Sequence, residues 1–499
     1  MELAVQSYTV PYLRRVFSEL VRQEETAETI VPDSEPDIGT ILDVGAEPIL
    51  RGKDCRSGSV IISGGIKGSI LYLPEGENDP RCLDVYLPFS IKTSDPALTE
   101  KSQVVVSMQI HRAEGRVINS RKAMLRVELG CQIQAFLPTE DRFYQVAQVS
   151  QCLQLKKEEY KLTLPLEMAE KSFQLSDELS LSVPCTQLYK CSVTLDLGDT
   201  KLMGNKGLFK GNALCKILYM GDDQRLHVHR QSLPFSQYCE FLSDFDEETV
   251  DYYPCVTGYD LNWDRAQAPG QVSVVIHLLM QAIVFGRKTI HIIEDAYVTC
   301  GQLETTWQNT AMEAELDRQR LTQSIQKELE GPITDVVDWD ICAELPEWTR
   351  QDGQRTMTAK YNIHVLGYDR QGTICSMGAK VTETQIIAAN ETEHCVCQNT
   401  MVGPLSLSPV PNGLEAKTEI MIQTQWFAQQ TLHSLRSGSM EDTSQQMRKP
   451  SIVLKRICRE STIWDIAKAS CAQPEAICRA NDWTSETAPE GAILLIPVG

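Results

Sequence analysis

Ile70-Leu71-Tyr72, followed by Leu87-Pro88-Phe89-Ser90, returns downstream as Ile217-Leu218-Tyr219 and Leu233-Pro234-Phe235-Ser236. A third and partial copy, Val365-Leu366-Gly367-Tyr368, keeps the tyrosine and lacks the second half. The three tyrosines stand 147 and then 149 residues apart. Solenoid repeats have periods of about 20–50 residues, so a period this long indicates tandem domains, one module copied three times.

Each copy closes on the same pattern. Leu125, Val127, Leu129, Cys131, Ile133 and Ala135 alternate with polar residues or glycine. Val272, Val274, Ile276, Leu278, Met280, Ala282 and Val284 take every second position in the next copy, and Leu414, Ala416, Ile420, Ile422 and Trp426 do so in the third. Successive side chains of a strand point to opposite faces, so each run reads as one long strand with a core face. Turn residues precede it each time, as Asn119-Ser120, Pro269-Gly270 and Pro411-Asn412-Gly413. Many strands and few helical patterns imply a mainly β fold of three tandem antiparallel β-sandwich-like modules.

On this reading residues 1–30 are an N-terminal segment, 31–140 the first copy, and 141–175 a connecting segment. The second copy spans 176–300, a second connector 301–330, and the divergent third copy 331–435. Within the second connector, Arg318 to Glu330 fits a polar helix, with Leu321, Ile325 and Leu329 at i, i+4 and i+8. Residues 436–450 are rich in Ser, Thr and Gln and carry no aliphatic residue except Met, which makes them a linker. A distinct unit, 451–499, should follow.

At 499 residues, a prior of about 150 residues per domain agrees with three modules and a remainder. The formal net charge of −20 argues against nucleic-acid binding, which needs a positive field to displace counterions. An anionic membrane surface would be repelled for the same reason. Proteins, glycans or something basic are the expected partners. Met1 to Val10 has no basic and apolar signal-peptide pattern, and no stretch approaches the ~18 apolar residues of a membrane helix. With no export signal, the 17 scattered cysteines are expected as reduced thiols of a cytosolic protein, Cys458, Cys471 and Cys478 among them.

The C-terminal unit reads β-α-α-β. Ile452 to Arg456 is strand-like, and Ser461 suits the N-cap of a helix from Thr462 to about Ala469 that buries Ile463, Ile466 and Ala467. Pro474 suits the first turn of a second helix carrying Ile477 and Ala480 on one face, with Asn481 at its end. Ala492 to Ile496 closes the unit as a strand. The run Ser461-Thr462-Ile463-Trp464-Asp465-Ile466-Ala467-Lys468, with Ala480-Asn481, Pro489-Glu490-Gly491 and Ile493 to Pro497, resembles a LysM domain over its whole length. That resemblance implies a groove for N-acetylglucosamine chains between the loop before the first helix and the loop after the second. The residues it places there are Glu460, Ser461, Thr462, Ile463 and Trp464 on one side, and Asn481, Asp482, Trp483, Pro489, Glu490 and Gly491 on the other. LysM loops usually carry Gly-Asp-Thr, whereas Glu460-Ser461-Thr462 stands here. A Cβ and a carboxylate therefore occupy the place where backbone amides would approach a sugar, which turns the expectation toward a protein partner.

Val31-Pro32-Asp33-Ser34-Glu35-Pro36-Asp37-Ile38, the two repeated blocks, and Asn119-Ser120-Arg121-Lys122 resemble the SPOCS domain of spore-forming Firmicutes. Tandem SPOCS copies ahead of one C-terminal LysM resemble clostridial spore-coat morphogenetic proteins of the SpoIVA-interacting protein L type. The resemblance implies a cytoplasmic mother-cell protein at the forespore surface, engaging the coat morphogenetic ATPase, stage IV sporulation protein A, through its LysM unit. A chain working there would need no export signal. The alternative it implies is a peptidoglycan-binding protein that anchors the repeats to cortex or wall.

Catalytic constellations are missing from the pattern. Asp33, Glu35 and Asp37 sit between prolines and read as a solvated turn. His227 and His229 share a strand face without a third ligand, and His394, Cys395 and Cys397 form a better but incomplete metal set. No Gly-x-Ser-x-Gly, P-loop or dinucleotide fingerprint occurs. The expectation is a non-enzymatic chain with no cofactor and no metal.

Overall fold

A computed structural model of the chain describes residues 2–147, 150–246, 248–351, 354–388, 393–441, 451–457 and 459–498. The first copy consists of β1 (Val5–Ile30), β2 (Ile38–Arg56), β3 (Ser59–Pro74), β4 (Arg81–Ser94), β5 (Gln103–Asn119) and β6 (Lys122–Val146). The second follows as β7 (Leu153–Ser180), β8 (Cys185–Gly221), β9 (Leu226–Phe245), β10 (Thr249–Asn262) and β11 (Gln271–Val298). Then come β12 (Gln302–Glu330), β13 (Asp335–Ala343), β14 (Glu347–Gln351), β15 (Gln354–Tyr368), β16 (Ile374–Ala388), β17 (Glu393–Val402), β18 (Ser406–Val410) and β19 (Gly413–Glu441). The C-terminal unit comprises β20 (Ile452–Arg456), β21 (Ser461–Thr462), α1 (Ile463–Ser470), α2 (Pro474–Ala480), β22 (Thr487–Ala488) and β23 (Ile493–Pro497). The protein is mainly β, its paired strands antiparallel, and among the described residues no helix is long and apolar enough to cross a membrane.

The same pairing occurs three times. The alternating strands β6, β11 and β19 each pair along nearly their full length with the first long strand of their copy, β1, β7 and β12 respectively. On their other edge they pair with β5, β10 and β17. A second sheet lies over each ribbon: β2-β3-β4 in the first copy, β8-β9 in the second, and β13 and β14 with β15 and β16 in the third. In the second copy β8 covers two strand positions by folding back near Gly204, whose φ of +58° suits glycine. Thr186 Oγ1 consequently donates to Met220 O at 3.1 Å. The alternating residues face these second sheets, so that Leu125, Val127 and Leu129 share one core with Ile62, Ile66 and Ile70.

Packing explains the repeated blocks. The phenylalanine of Leu-Pro-Phe-Ser lies directly across the ladder from a glycine, Phe89 from Gly64 and Phe235 from Gly211. A Cβ on Gly64 would stand 2.2 Å from the Ile49 carbonyl oxygen and 2.5 Å from the Phe89 ring. A Cβ on Gly211 would stand 2.5 Å from the Asp196 carbonyl oxygen and 2.7 Å from Phe235. An aromatic ring covering a strand glycine restores the contact that the missing side chain leaves open. In the third copy Ala359 stands opposite Glu383, so glycine and ring are lost together.

The leucine of Ile-Leu-Tyr has a different role. Leu71, Leu218 and Leu366 leave their own cores and meet in one buried cluster with Leu42, Tyr189 and Met220. Burying a leucine fully stabilises by roughly 1.5–3 kcal/mol, so this cluster favours one arrangement of the three copies. Further shared clusters join Phe136, Phe285 and Phe427, and Phe143, Ile290 and Leu432, each trio drawn from β6, β11 and β19.

Several expectations need correction. Arg318 to Glu330 is not helical but lies in β12, paired to β19 from Gln302 to Glu330. A spacing of four is a multiple of two as well as nearly one helical turn. The inner row of β12 also contains Gln323, which is buried and accepts from Tyr361 Oη at 2.6 Å, so the strand period is hidden in sequence. Residues 1–30, 141–175 and 301–330, read as terminal or connecting chain, supply the long strands β1, β7 and β12 and the end of β6. Of the expected linker, 436–441 belongs to β19, and 442–450 lie outside the described residues.

The cysteines are not all thiols. Cys152 and Cys300 form a disulfide with Cα atoms 5.8 Å apart. Cys152 precedes β7 and Cys300 follows β11, and the Leu153–Val298 register brings them opposite one another. A sequence separation of 148 residues hid that juxtaposition. Cys471 and Cys478 are free, and Cys458 lies outside the described residues.

Candidate functional site

In the C-terminal unit β20 pairs with β23, and the helices pack on one face of that pair around Ile463, Ile466, Ala467 and Ile477. Thr462, not Ser461, is the N-cap: its Oγ1 accepts from Asp465 N at 3.0 Å. Pro474 opens α2 and Asn481 caps it, whereas Ala480 is exposed, so Ile477 alone carries the apolar face of that helix.

The eleven residues assigned to the loops have different surroundings. Ile463 is buried in the core of the unit. Asn481 ties α2 to β23, its Nδ2 donating to Ile477 O at 2.8 Å and Leu495 O at 2.6 Å. Trp483 packs against the same core and donates from Nε1 to Thr487 O at 3.3 Å. Glu460, Thr462, Asp482, Pro489, Glu490 and Gly491 are exposed, and Ser461 is half-buried in the β21–β22 pair.

Trp464, placed at the groove by the LysM resemblance, has its main partners on β11. The indole meets Tyr297 edge-on at 5.0 Å and donates from Nε1 to Asp295 Oδ2 at 2.8 Å. Lys468 Nζ reaches both Asp295 oxygens at 2.7 Å, and Tyr297 Oη donates to Ala472 O at 2.7 Å. Although burial raises the Asp295 carboxyl, Lys468 and Trp464 more than reverse this and hold it below the usual carboxylate range. The C-terminal unit is thus docked on the end of β11 beside Cys152–Cys300, with Gln473 Nε2 donating to Gln151 O at 3.3 Å.

A second constellation forms where the copies meet. Asp43 of β2, Lys190 of β8 and Asp340 of β13 converge, Lys190 Nζ lying 3.1 Å from Asp43 and 3.2 Å from Asp340. Lys216 pairs with Asp338 at 3.1 Å and with Asp340, Arg230 reaches Asp338 at 2.7 Å, and His364 lies 3.4 Å from Asp43. Burial would raise the Asp43 carboxyl, but Lys190 and His364 more than reverse it and hold it below the usual range. Three carboxylates face three permanent cations, so the network neutralises itself and its role is to join copies.

A cavity of about 820 Å³ adjoins this network, lined by strands from all three copies and bordered by Glu47, Lys190 and Asn362. Burial pushes the Glu47 carboxyl up to about 8. The unfolded value is near 4.3, so the native chain holds a proton that the unfolded chain releases between these limits. Stability from this group is therefore present below about pH 4.3 and is lost as pH rises through about 8. Glu47→Gln is expected to flatten a decline in wild-type stability between pH 5 and pH 8. Urea unfolding at both pH values checks this, and equal declines in wild type and variant would refute it.

The acidic turn at 31–38 and the Asn119–Lys122 segment of the first copy also meet. Arg121 donates to the carbonyls of Glu35 and Pro32 at 2.7 Å each and to Asp37 Oδ1 at 3.0 Å, while Tyr72 Oη donates to Pro36 O at 3.0 Å. The acidic turn at 31–38 is therefore gathered on one guanidinium and the repeated tyrosine.

Residues 185–255 match the family model described as SipL, SPOCS domain. This stretch is similar to a SPOCS domain. That match makes this a sporulation-related protein. No curated protein and no solved structure matches the chain. The matched SPOCS segment holds the second Ile-Leu-Tyr and Leu-Pro-Phe-Ser blocks and all three network cations, Lys190, Lys216 and Arg230.

His227 and His394, from the two candidate metal sets, have other partners. His227 bonds Asp223 at 2.9 Å and stacks on Tyr219. His394 lies 3.1 Å from Glu313, contacts Arg15 and stacks on Phe427, whereas Cys395 and Cys397 pack on the core of the third copy. Among the described residues no group of three metal-ligating side chains occurs. Sequence reasoning missed the junction network. Its one available signal was position: Asp43 and Lys190 each precede their copy's repeated tyrosine by 29 residues.

Proposed function

We propose that the protein is a non-enzymatic assembly protein of the spore envelope. Its SPOCS copies act as interaction modules, and its LysM-like C-terminal unit is the docking head for a coat morphogenetic protein, stage IV sporulation protein A. It works from the mother-cell cytosol at the forespore surface. The observation that carries this reading is the way the C-terminal unit is held. Asp295 and Tyr297 fix it on the SPOCS body through Trp464 and Lys468, while Glu460, Thr462 and the loop at 489–491 remain exposed. A head fixed on a body whose copies are joined by shared apolar clusters and ion pairs suits a scaffold. Cys152–Cys300 clamps β7 to β11 at the docking point, although a structural disulfide is unusual in a cytosolic chain.

The loop chemistry favours protein over glycan. Glu460 places an exposed carboxylate where LysM loops usually carry glycine. Calorimetry of the full chain should give binding to stage IV sporulation protein A and little to chitin oligomers or peptidoglycan. Glu460→Gly with Ser461→Asp should raise glycan affinity from that weak baseline by roughly tenfold, about 1.4 kcal/mol. Wild-type chain that binds glycan at micromolar strength and ignores the coat protein would establish the wall-anchor alternative instead.

A further inference from the structure

The Cys152–Cys300 disulfide closes the short end of the β7–β11 ladder, and that end carries the docking contact. The register between the two strands shifts at a bulge between Ile293 and Asp295. Beyond it the ladder has four pairs: Asp295 with Lys156, Ala296 with Leu155, Tyr297 with Gln154, and Val298 with Leu153. The disulfide follows directly, beside the bond from Thr299 N to Cys152 O at 2.8 Å. A bulge locally disrupts a ladder, so these pairs are held less firmly than the long ladder behind them. Both anchors of the C-terminal unit, Asp295 and Tyr297, stand among the four pairs. Gln151, which accepts from Gln473, immediately precedes Cys152. The bond is also reachable. Cys300 is exposed and Cys152 half-buried, whereas every free cysteine among the described residues is buried or half-buried. Exposed disulfides are the more readily reduced ones, and they are the ones used in regulation.

We propose that Cys152–Cys300 is a redox-sensitive latch: oxidised, it holds Asp295 and Tyr297 in place for the C-terminal unit, and reduction by a small thiol, glutathione, releases that unit. A glutathione thiolate attacks the Cys300 sulfur, the S–S bond breaks, and Cys152 leaves as a thiolate that takes up a proton. A second glutathione thiolate then attacks the glutathione sulfur of the mixed disulfide. Cys300 leaves and is protonated, and glutathione disulfide forms. Two electrons and two protons thus pass from two glutathiones to the two cysteines. Release bares Trp464 and Lys468, which the docked state holds on Asp295. Coupling between two such events is reciprocal: if the oxidised bond favours docking, docking favours the oxidised bond by the same factor. The latch governs when the C-terminal unit is docked, whichever partner that unit binds.

The test equilibrates the full chain in glutathione buffers of rising thiol content, alkylates the freed thiols, removes the glutathione and labels exposed side chains with hydroxyl radicals. Mass spectrometry reads Cys152, Cys300, Trp464 and Trp483 in the same sample. Trp464 labelling should rise roughly tenfold as the disulfide is reduced, a coupling of ordinary size. Trp483, which packs on the core of its own unit, should not change. Cys152→Ser/Cys300→Ser should label like the reduced chain at every glutathione ratio. Asp295→Ala, which removes the anchor of Trp464 and Lys468, should make the disulfide roughly tenfold easier to reduce. Unchanged Trp464 labelling in the reduced chain overturns the latch. Trp464 and Trp483 rising together would show the unit unfolding instead of undocking, which overturns it too. So does a disulfide that glutathione leaves intact, or one whose reduction Asp295→Ala does not ease. None of these readings uses stage IV sporulation protein A, so the function proposed above stands or falls separately.

Discussion

Lys190→Met is expected to destabilise the protein by about 3–5 kcal/mol, the cost of leaving buried charges without their partner. Lys190 is the cation that Asp43 and Asp340 share, and with it gone Asp43 retains only His364 close by. The effect should reach beyond one copy, because the three residues come from β2, β8 and β13. Urea unfolding followed by tryptophan fluorescence reads it, and Lys190→Met combined with Asp43→Leu and Asp340→Leu should recover most of the loss. Replacing a complete buried charge set with apolar residues is often neutral or stabilising. The sign with pH follows from the depressed Asp43: its contribution is present above the unfolded value near 3.9 and lost as pH falls further. A loss below about 1 kcal/mol for Lys190→Met would mean that the network behaves like exposed ion pairs.

Gly64→Ala should cost about 3 kcal/mol, at the upper end for overpacking, because its nearest obstacle is backbone. The new methyl would sit 2.2 Å from the Ile49 carbonyl oxygen and against the Phe89 ring, neither of which can swing away. Gly211→Ala should behave similarly for the same geometric reason in the second copy. Gly270→Ala is the matched control, since nothing lies within 4 Å of a Cβ there. Thermal unfolding of the three variants checks this. A tolerated Gly64→Ala would show that Ile49 and Phe89 yield, and would remove the packing explanation of the Leu-Pro-Phe-Ser block.

Much was legible in local pattern. Wherever one face is buried and the other is wet, a strand alternates in sequence, as in Leu125 to Ala135 and Val272 to Val284, and these strands stand where the alternation places them. The helices of the C-terminal unit were legible for a similar reason, because caps and apolar spacing are local chemistry. β1, β7 and β12 were not legible. Their outer stretches are polar on both faces, and in β12 the inner row includes Gln323, whose hydrogen bond to Tyr361 only a folded neighbour supplies.

The sequence by itself determined the repeated blocks, their spacing and the strand-rich character, since repetition and alternation survive without any knowledge of neighbours. Only the tertiary structure decided what those repeated residues face. Leu71, Leu218 and Leu366 form one cluster across copies; Asp43, Lys190 and Asp340 neutralise one another; Cys152 finds Cys300; and Trp464 turns from its own module to Asp295 and Tyr297. Each is a contact between residues at least about a hundred positions apart, and side-chain chemistry constrains such a partner's type while chain topology alone selects which residue it is.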